Sequence, residues 1–331
     1  MKFVAILLTV STLFVANVFG QSKEVKFLID TSIAIMKNNA VNRDHVDWKK
    51  IEQNVYSQIA TKENAYQLGP AFRMLFKSIN DFHGAFSCWD STYSWQRPEP
   101  EYSDSIKKEW QKGVSLQTFT LQDNIGYLRV PYISFEKRNE LDKRSQSLND
   151  SLCALLDKNV IGIILDLRLN SGGAMYPMML GLEQLLHEGK IGSFTDNVNW
   201  ILKDNGFYLD TAILTSITPK CAIPDKQIPV AILIGPATGS SGEFLAIAFK
   251  KRENTIFIGT ETAGYVTATE GFEIREWVSL LLSTGYGRDR TGQIYDQPLS
   301  PDIYIKEPDS FNDLKKDAKV LAAMDWIKAK K

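Results

Sequence analysis

Between residues 22 and about 80, apolar side chains recur three and four positions apart. They run through Val25, Phe27, Leu28, Ile29, Ile33 and Met36, then Ile51, Val55, Ile59, Leu68, Phe72, Leu75, Phe76 and Ile79. This is the spacing of one buried helix face, and it predicts a small bundle of helices. Residues 90 to 112 are polar and carry Pro98 and Pro100, which predicts a surface loop or linker. From Asn124 the texture changes. Continuous apolar runs at 125–133, 160–168, 229–235 and 255–259 have the length and composition of buried strands. They alternate with helix-length patterns at 145–156, 175–187 and 241–250. Further strands are expected at 276–283 and 303–305, and an amphipathic helix at 311–330. Alternating strands and helices predict a layered α/β core.

The first 20 residues form a separate pattern. Lys2 precedes an almost wholly apolar stretch from Phe3 to Phe19, and Val18 and Gly20 supply small residues before Gln21. A secretory signal peptide is expected here, cleaved before Gln21. The expected organisation is a signal peptide at 1–20, a helical subdomain at 21–88, a linker or surface segment at 89–123 and an α/β core at 124–331. Composition adds little: 331 residues are 44% hydrophobic, with 38 Lys and Arg against 39 Asp and Glu. The resulting charge of −1 points away from nucleic acid or an acidic membrane as partner. Cys88, Cys153 and Cys221 fit no zinc spacing; export would permit one disulfide and leave a thiol over, and buried free thiols are the preferred reading.

The candidate chemistry lies at Thr238-Gly239-Ser240-Ser241-Gly242-Glu243, between the expected strand 229–235 and the helix 241–250. A serine at such a turn is held where helix N-terminal N–H groups converge, which suits a nucleophile beside an oxyanion hole. The same turn would also accept serine as a simple helix N-cap. Of the three histidines, His45 stands in a polar segment and His187 near a helix C-terminus, both read as solvated. His83 is crowded by Phe82 and Phe86 where the helical region ends at Gly84, as a core histidine or a general base would be.

Four segments resemble, in order, those of the tail-specific (C-terminal processing) and tricorn-type serine peptidases, including their retinoid-binding-protein-like members. Asp81-Phe82-His83-Gly84 is similar to their D-x-H segment. Residues 165–173 (LDLRLNSGG) resemble their strand and glycine loop. Residues 229–243, with 259–264 (GTETAG) after them, resemble their nucleophile region, and Pro301-Asp302-Ile303 their closing PDI. The resemblance implies a spiral, crotonase-like α/β core with an N-terminal helical subdomain. It implies Ser240 as nucleophile and His83 as base. For the oxyanion hole it implies the N–H of Ser241 with that of Gly172, or failing that Gly173. Tail-specific members use a lysine where this chain has Tyr265, and no lysine stands between Lys251 and Lys306. The Ser-His-acid arrangement of the tricorn-type branch is therefore expected, with Asp296 as the acid and Asp289 and Glu261 in reserve. Asp166 and Arg168 are expected to pair internally. Only 37 residues separate Phe86 from Asn124, too few for the PDZ domain of many tail-specific members.

The function so implied is an exported serine endopeptidase, periplasmic or extracellular, acting on proteins or peptides. It needs no cofactor or metal and has no stable membrane insertion after signal cleavage. A catalytically inactive relative that binds an apolar small ligand or a peptide is the alternative. Phe82, Phe86, Trp89 and Tyr265 are the aromatic candidates for the cleft.

Overall fold

The computed structural model describes residues 22–330 apart from 97, 99, 136, 196, 225 and 226; the expected signal peptide lies outside the described residues. Helices α1 (Lys23–Asn39), α2 (Trp48–Ile59) and α3 (Gly69–Ser78) come first, followed by strands β1 (Ala85–Cys88) and β2 (Ser91–Tyr93). Helix α4 (Asp104–Lys112) and strand β3 (Gln117–Thr120) occupy much of the polar segment expected to be a loop. The α/β alternation then runs β4 (Gly126–Arg129), α5 (Arg138–Leu156), β5 (Ile163–Asp166), α6 (Met175–Gly181) and α7 (Glu183–Leu186). An antiparallel meander of β6 (Gly189–Phe194), β7 (Asn199–Lys203), β8 (Gly206–Leu209) and β9 (Ala212–Ser216) follows. The chain continues through β10 (Val230–Ile234), α8 (Ser241–Phe249), β11 (Thr255–Gly259), β12 (Thr267–Arg275), β13 (Val278–Asp289), β14 (Ile294–Tyr295), β15 (Ile303–Tyr304) and α9 (Ala318–Ala329).

Two sheets result. One has the order β15-β11-β10-β5-β4-β3, parallel except for the β3–β4 pair. Its central strands β4, β5 and β10 are buried on both faces, because helices cover each side. Val230, Ile232 and Ile234 point into one cluster with residues of α5, α6 and α8, while Ala231 and Leu233 point into another with Val320, Ala323 and Ile327 of α9. Alternate residues of a strand face opposite ways, so one apolar run serves two cores. The second sheet is antiparallel and has β13 at its centre, paired with β1, β6, β12 and β14. Helices α1–α3 pack on it through Leu28, Phe72, Phe76, Phe86, Val278 and Leu280. The strand β13 thereby joins the helical region to the rest of the molecule. This is a mixed α/β architecture.

The preferred reading of three free thiols is corrected in favour of the one disulfide that export would permit. Cys153 of α5 and Cys221, 68 residues later, form a disulfide, and only Cys88 is a free, buried thiol. Their approach is set by packing of the segment after β9 on α5, where Gln146 bonds Thr218 and Lys220 pairs with Asp150. Closing a loop of this length removes chain entropy worth about 4 kcal/mol. Cys153→Ser should therefore lower the urea midpoint strongly. Reductant should destabilise the parent protein toward the variant and leave the variant itself unmoved.

Candidate active site

Three neighbouring parallel strands, β5, β10 and β11, end on the same edge of the sheet, and the loops leaving them meet there. The carboxyl ends of parallel strands are where open α/β sheets form their clefts. The loop after β10 leads to Ser240, which is the N-cap of α8. The loop after β5 carries Gly172 and Gly173, and the loop after β11 carries Gly264 and Tyr265. The loops are laced together by hydrogen bonds. Gly239 N donates to Asn170 O at 3.0 Å, Thr238 Oγ1 to Leu167 O at 2.8 Å, and Ala263 N to Thr238 O at 2.8 Å. The Ser241 hydroxyl donates to the Gly173 carbonyl.

Ser240 has φ 50° and ψ −120°, a region that side-chain-bearing residues seldom adopt. Buried Glu243, three residues on, explains how the conformation persists. Its carboxyl accepts from Ser240 N at 2.9 Å, from Gly264 N at 2.7 Å and from the Thr262 hydroxyl. Burial pushes Glu243 up to about 7, against these hydrogen bonds, which favour the charged form. A backbone held in such a region stores ~1–3 kcal/mol. Ser240→Gly should consequently be more stable than Ser240→Ala by about 1 kcal/mol after the entropic cost of glycine. Urea unfolding of the two variants measures this, and an alanine variant as stable as the glycine one would mean an unstrained turn.

Gly172 faces Ser240 closely. A Cβ there would stand 2.8 Å from Ser240 Cβ and 3.2 Å from Ser241 N, and its φ is +118°. Gly173, at φ +92°, would place a Cβ 1.9 Å from the Ile133 carbonyl oxygen. Only glycine fits either position. The Gly172 N–H is already engaged, donating to Asn170 Oδ1 at 3.0 Å. The N–H groups of Gly173 and Ser241 donate to no acceptor among the described residues.

His83 lies on the connection between α3 and β1. Its own N–H and that of Gly84 donate to Asp81 Oδ1 at 3.0 and 2.7 Å. The imidazole stands 5.1 Å from the Tyr265 ring, edge to face, and Tyr265 directly follows the Gly264 that Glu243 holds. This contact joins His83 to the loop that carries Gly264. Its Nδ1 lies 3.1 Å from Thr267 Oγ1. Desolvation lowers the His83 pKa, opposed by the nearby Asp81 charge.

The remaining expected residues fall as follows. Asp296 is exposed; it lines a cavity of about 20 Å³ together with Asp81, His83, Thr267 and Tyr286. Nδ1 of His83 meets the Thr267 hydroxyl, not this carboxylate. Asp289 is buried and spent on its own turn, accepting from Thr291, Gln293 and Tyr295. Glu261 is exposed, within reach of the Ser300 hydroxyl at 3.5 Å. Asp166 and Arg168 form the expected internal pair at 2.8 Å, which Asp309 and Asp317 extend. Burial alone would raise the Asp166 pKa, but Arg168 and Arg129 hold it well below the carboxylate range. Among the aromatic candidates, Phe86 is fully buried and stacks on Phe72 at 3.7 Å, so it belongs to the core. Phe82 packs on Tyr265 at 5.2 Å beside His83, and exposed Trp89 stacks on Tyr66. His45 is exposed as expected, whereas His187 is half-buried and its Nε2 has no partner among the described residues. The residues that sequence reasoning missed are Thr267 and Ser283; only the Asp81 of the D-x-H segment hinted at a polar network beneath His83.

The turn sets a serine at the head of a helix, and the N–H groups of Gly173 and Ser241 beside it have no acceptor among the described residues. Residues 124–305 match the model of peptidase family S41, and the chain belongs to that family. It is 33% identical over 233 residues to a nisin-resistance protein of Lactococcus lactis, covering 69% of this chain and 68% of that one. It is 25% identical over 196 residues to a carboxy-terminal-processing protease of Bartonella bacilliformis, covering 59% of this chain and 42% of the protease. In fold it is similar to a lipoprotein from Streptococcus agalactiae, with a TM-score of 0.64 at 20% identity over 92% of this chain and 96% of the other. Membership makes the protein a serine-type peptidase, relative of the C-terminal processing proteases, whose substrate class is protein. Among the described residues, no helix is long and apolar enough to cross a membrane.

Proposed function

We propose that the protein is an exported endopeptidase in which Ser240 attacks the peptide carbonyl and His83 takes its proton. His83 later protonates the leaving amine. The observation that carries this reading is the strained Ser240, held by Glu243 beside two unspent N–H groups. Because the Gly172 N–H is engaged, Gly173 with Ser241 supplies the oxyanion hole; Gly172 provides the close approach. Such donors are each worth ~2.7–4 kcal/mol in the barrier. Export is supported by the disulfide, which suits an oxidising compartment, and by the apolar leader in the sequence. The spiral core with a helical subdomain belongs to the same proposal, supported by α1–α3 gathering on one sheet.

Recognition falls to the cleft itself, since the segment between β2 and β4 holds only α4, β3 and a short 3-10 turn at Gln122–Asn124 among its described elements. Phe82 and Tyr265, beside His83, are placed to meet side chains near the scissile bond. The test uses one internally cleaved peptide in free-acid and C-terminally amidated forms. Equal kcat/KM for both, and none with Ser240→Ala, is the expected result. A large loss on amidation would mean that the protein reads a free C-terminus instead.

A further inference from the structure

We propose that Thr267 and Ser283 form a hydroxyl relay through which Asp81 orients the His83 imidazole, making Asp81 the acid of this site in place of Asp296. The proposal rests on His83 being the base, and it follows from counting protons. Asp81 accepts four hydrogen bonds: from His83 N at 3.0 Å, Gly84 N at 2.7 Å, Ser283 N at 2.9 Å and Ser283 Oγ at 2.7 Å. A carboxylate has no proton to give, so the single Ser283 hydroxyl proton points at Asp81. Ser283 Oγ is placed to donate both to Asp81 and, at 3.0 Å, to Thr267 Oγ1, and its one proton can serve only one of them. The anionic carboxylate is the stronger acceptor, so the relay assigns that proton to Asp81 and makes the Thr267 hydroxyl the donor to Ser283. The Thr267 oxygen is then left only to accept, and its neighbour at 3.1 Å is His83 Nδ1. The ring must carry its proton on Nδ1, and Nε2 keeps the lone pair that a general base requires.

In this assignment the hydrogen bonds all point the same way, from the imidazole to the carboxylate. Charge developing on the ring is therefore met by a line of dipoles ending in a negative group, in surroundings where such lines strengthen one another. Asp81, Ser283 and Thr267 are 3%, 2% and 7% exposed, so water does not compete for these bonds. The fold supplies the arrangement from separate elements. Thr267 opens β12, Ser283 lies on β13, and the register of that pair shifts between Ala268 and Thr269, between the two hydroxyl-bearing positions. Shifts of this kind re-aim side chains. The titratable groups facing His83 are Asp81 on its own segment, Tyr265 from the loop before β12, Tyr286 from β13 and Asp296 after β14.

Kinetics of Thr267→Val, Thr267→Ser, Ser283→Ala and Asp296→Asn test the relay. Thr267→Val keeps the side-chain volume and the backbone bond to His83, and removes the hydroxyl beside Nδ1. It should lower kcat by ~10²-fold with KM unchanged, within the range set by loss of base catalysis. It should also move the acidic limb of the kcat/KM profile to lower pH, because the imidazolium loses a partner. Thr267→Ser should restore both, and Ser283→Ala should shift the limb in the same direction as Thr267→Val. A purely structural role would reduce the folded fraction without moving the limb. A Thr267→Val enzyme with the parent rate and limb overturns the relay, as does an Asp296→Asn loss exceeding that of Thr267→Val. Should Thr267→Val not fold, Ser283→Ala decides by the same limb. Retained cleavage by His83→Ala would instead strike the base assignment itself, so the two failures are distinct.

Discussion

Ser240→Ala and His83→Ala should each reduce kcat on a cleaved peptide by about a million-fold, and the double variant should be no worse than either single one. Nucleophile and base act as one unit, and removing either removes the whole covalent route. What survives is the ~10³–10⁴-fold advantage over water that an oxyanion hole and binding give alone. In the parent enzyme, kcat/KM should rise with pH as His83 loses its proton. Desolvation lowers the pKa of this histidine, so the limb should fall below the ordinary 6.5. Independent, additive losses in the double variant would mean that the two residues do not work together. A limb near 10 would point to a lysine base, although no lysine stands between Lys251 and Lys306.

Glu243→Ala should have the next largest effect, on stability and rate together. Its carboxyl binds the backbone of Ser240 to the Gly264 loop and buries the Thr262 hydroxyl against it. Without it the backbone N–H groups of Ser240, Gly264 and Tyr265 and the Thr262 hydroxyl lose an acceptor inside the protein, at ~1–3 kcal/mol for each group left unsatisfied. A net loss of about 3 kcal/mol is expected in urea unfolding. Freed of its anchor, Ser240 should drift from the attacking position, and misplacement by about 1 Å costs ~10²-fold in kcat. Glu243→Gln should recover part of both losses, because one amide oxygen still accepts. Parent-level kcat in Glu243→Ala would show that the turn holds its shape without the anchor.

How much of this was legible beforehand depended on whether the signal was local. The strands β5, β10 and β11 stand in the apolar runs that foretold them, since burial on both faces leaves no polar alternation to confuse. The run at 160–168 overshoots β5 because Leu167 and Leu169 stay buried in the loop leading to Gly172. The meander β6–β9 was not read at all: its strands are short, and three of its turns depend on polar residues at positive φ such as Asn197, Asp204 and Asp210. Helix α4 hid in a proline-bearing segment, where Ser103 caps it and Ile106 is its one buried side chain. The long terminal helix starts only at Ala318, where Asp317 caps its first N–H groups.

Within the site, Ser240, Gly172 and His83 could be picked out because short motifs carry them. Thr267 and Ser283 could not. Thr267 reaches His83 across 184 positions, and neither hydroxyl sits in a recognisable motif. Asp296 stands close before Pro301-Asp302 in sequence, which places it at the cavity without determining what meets Nδ1 of His83. The Cys153–Cys221 bond was hidden for the same reason, being a contact made by packing across 68 residues.

Labelling with a fluorophosphonate, followed by mass mapping of the modified peptide, tests the central claim most directly. The reagent needs an activated serine and an oxyanion hole, and it needs no knowledge of the natural substrate. The account predicts one adduct on Ser240, abolished in Ser240→Ala and slowed strongly in His83→Ala. Absence of labelling in the folded parent protein, or an adduct on another serine that persists in Ser240→Ala, would contradict it.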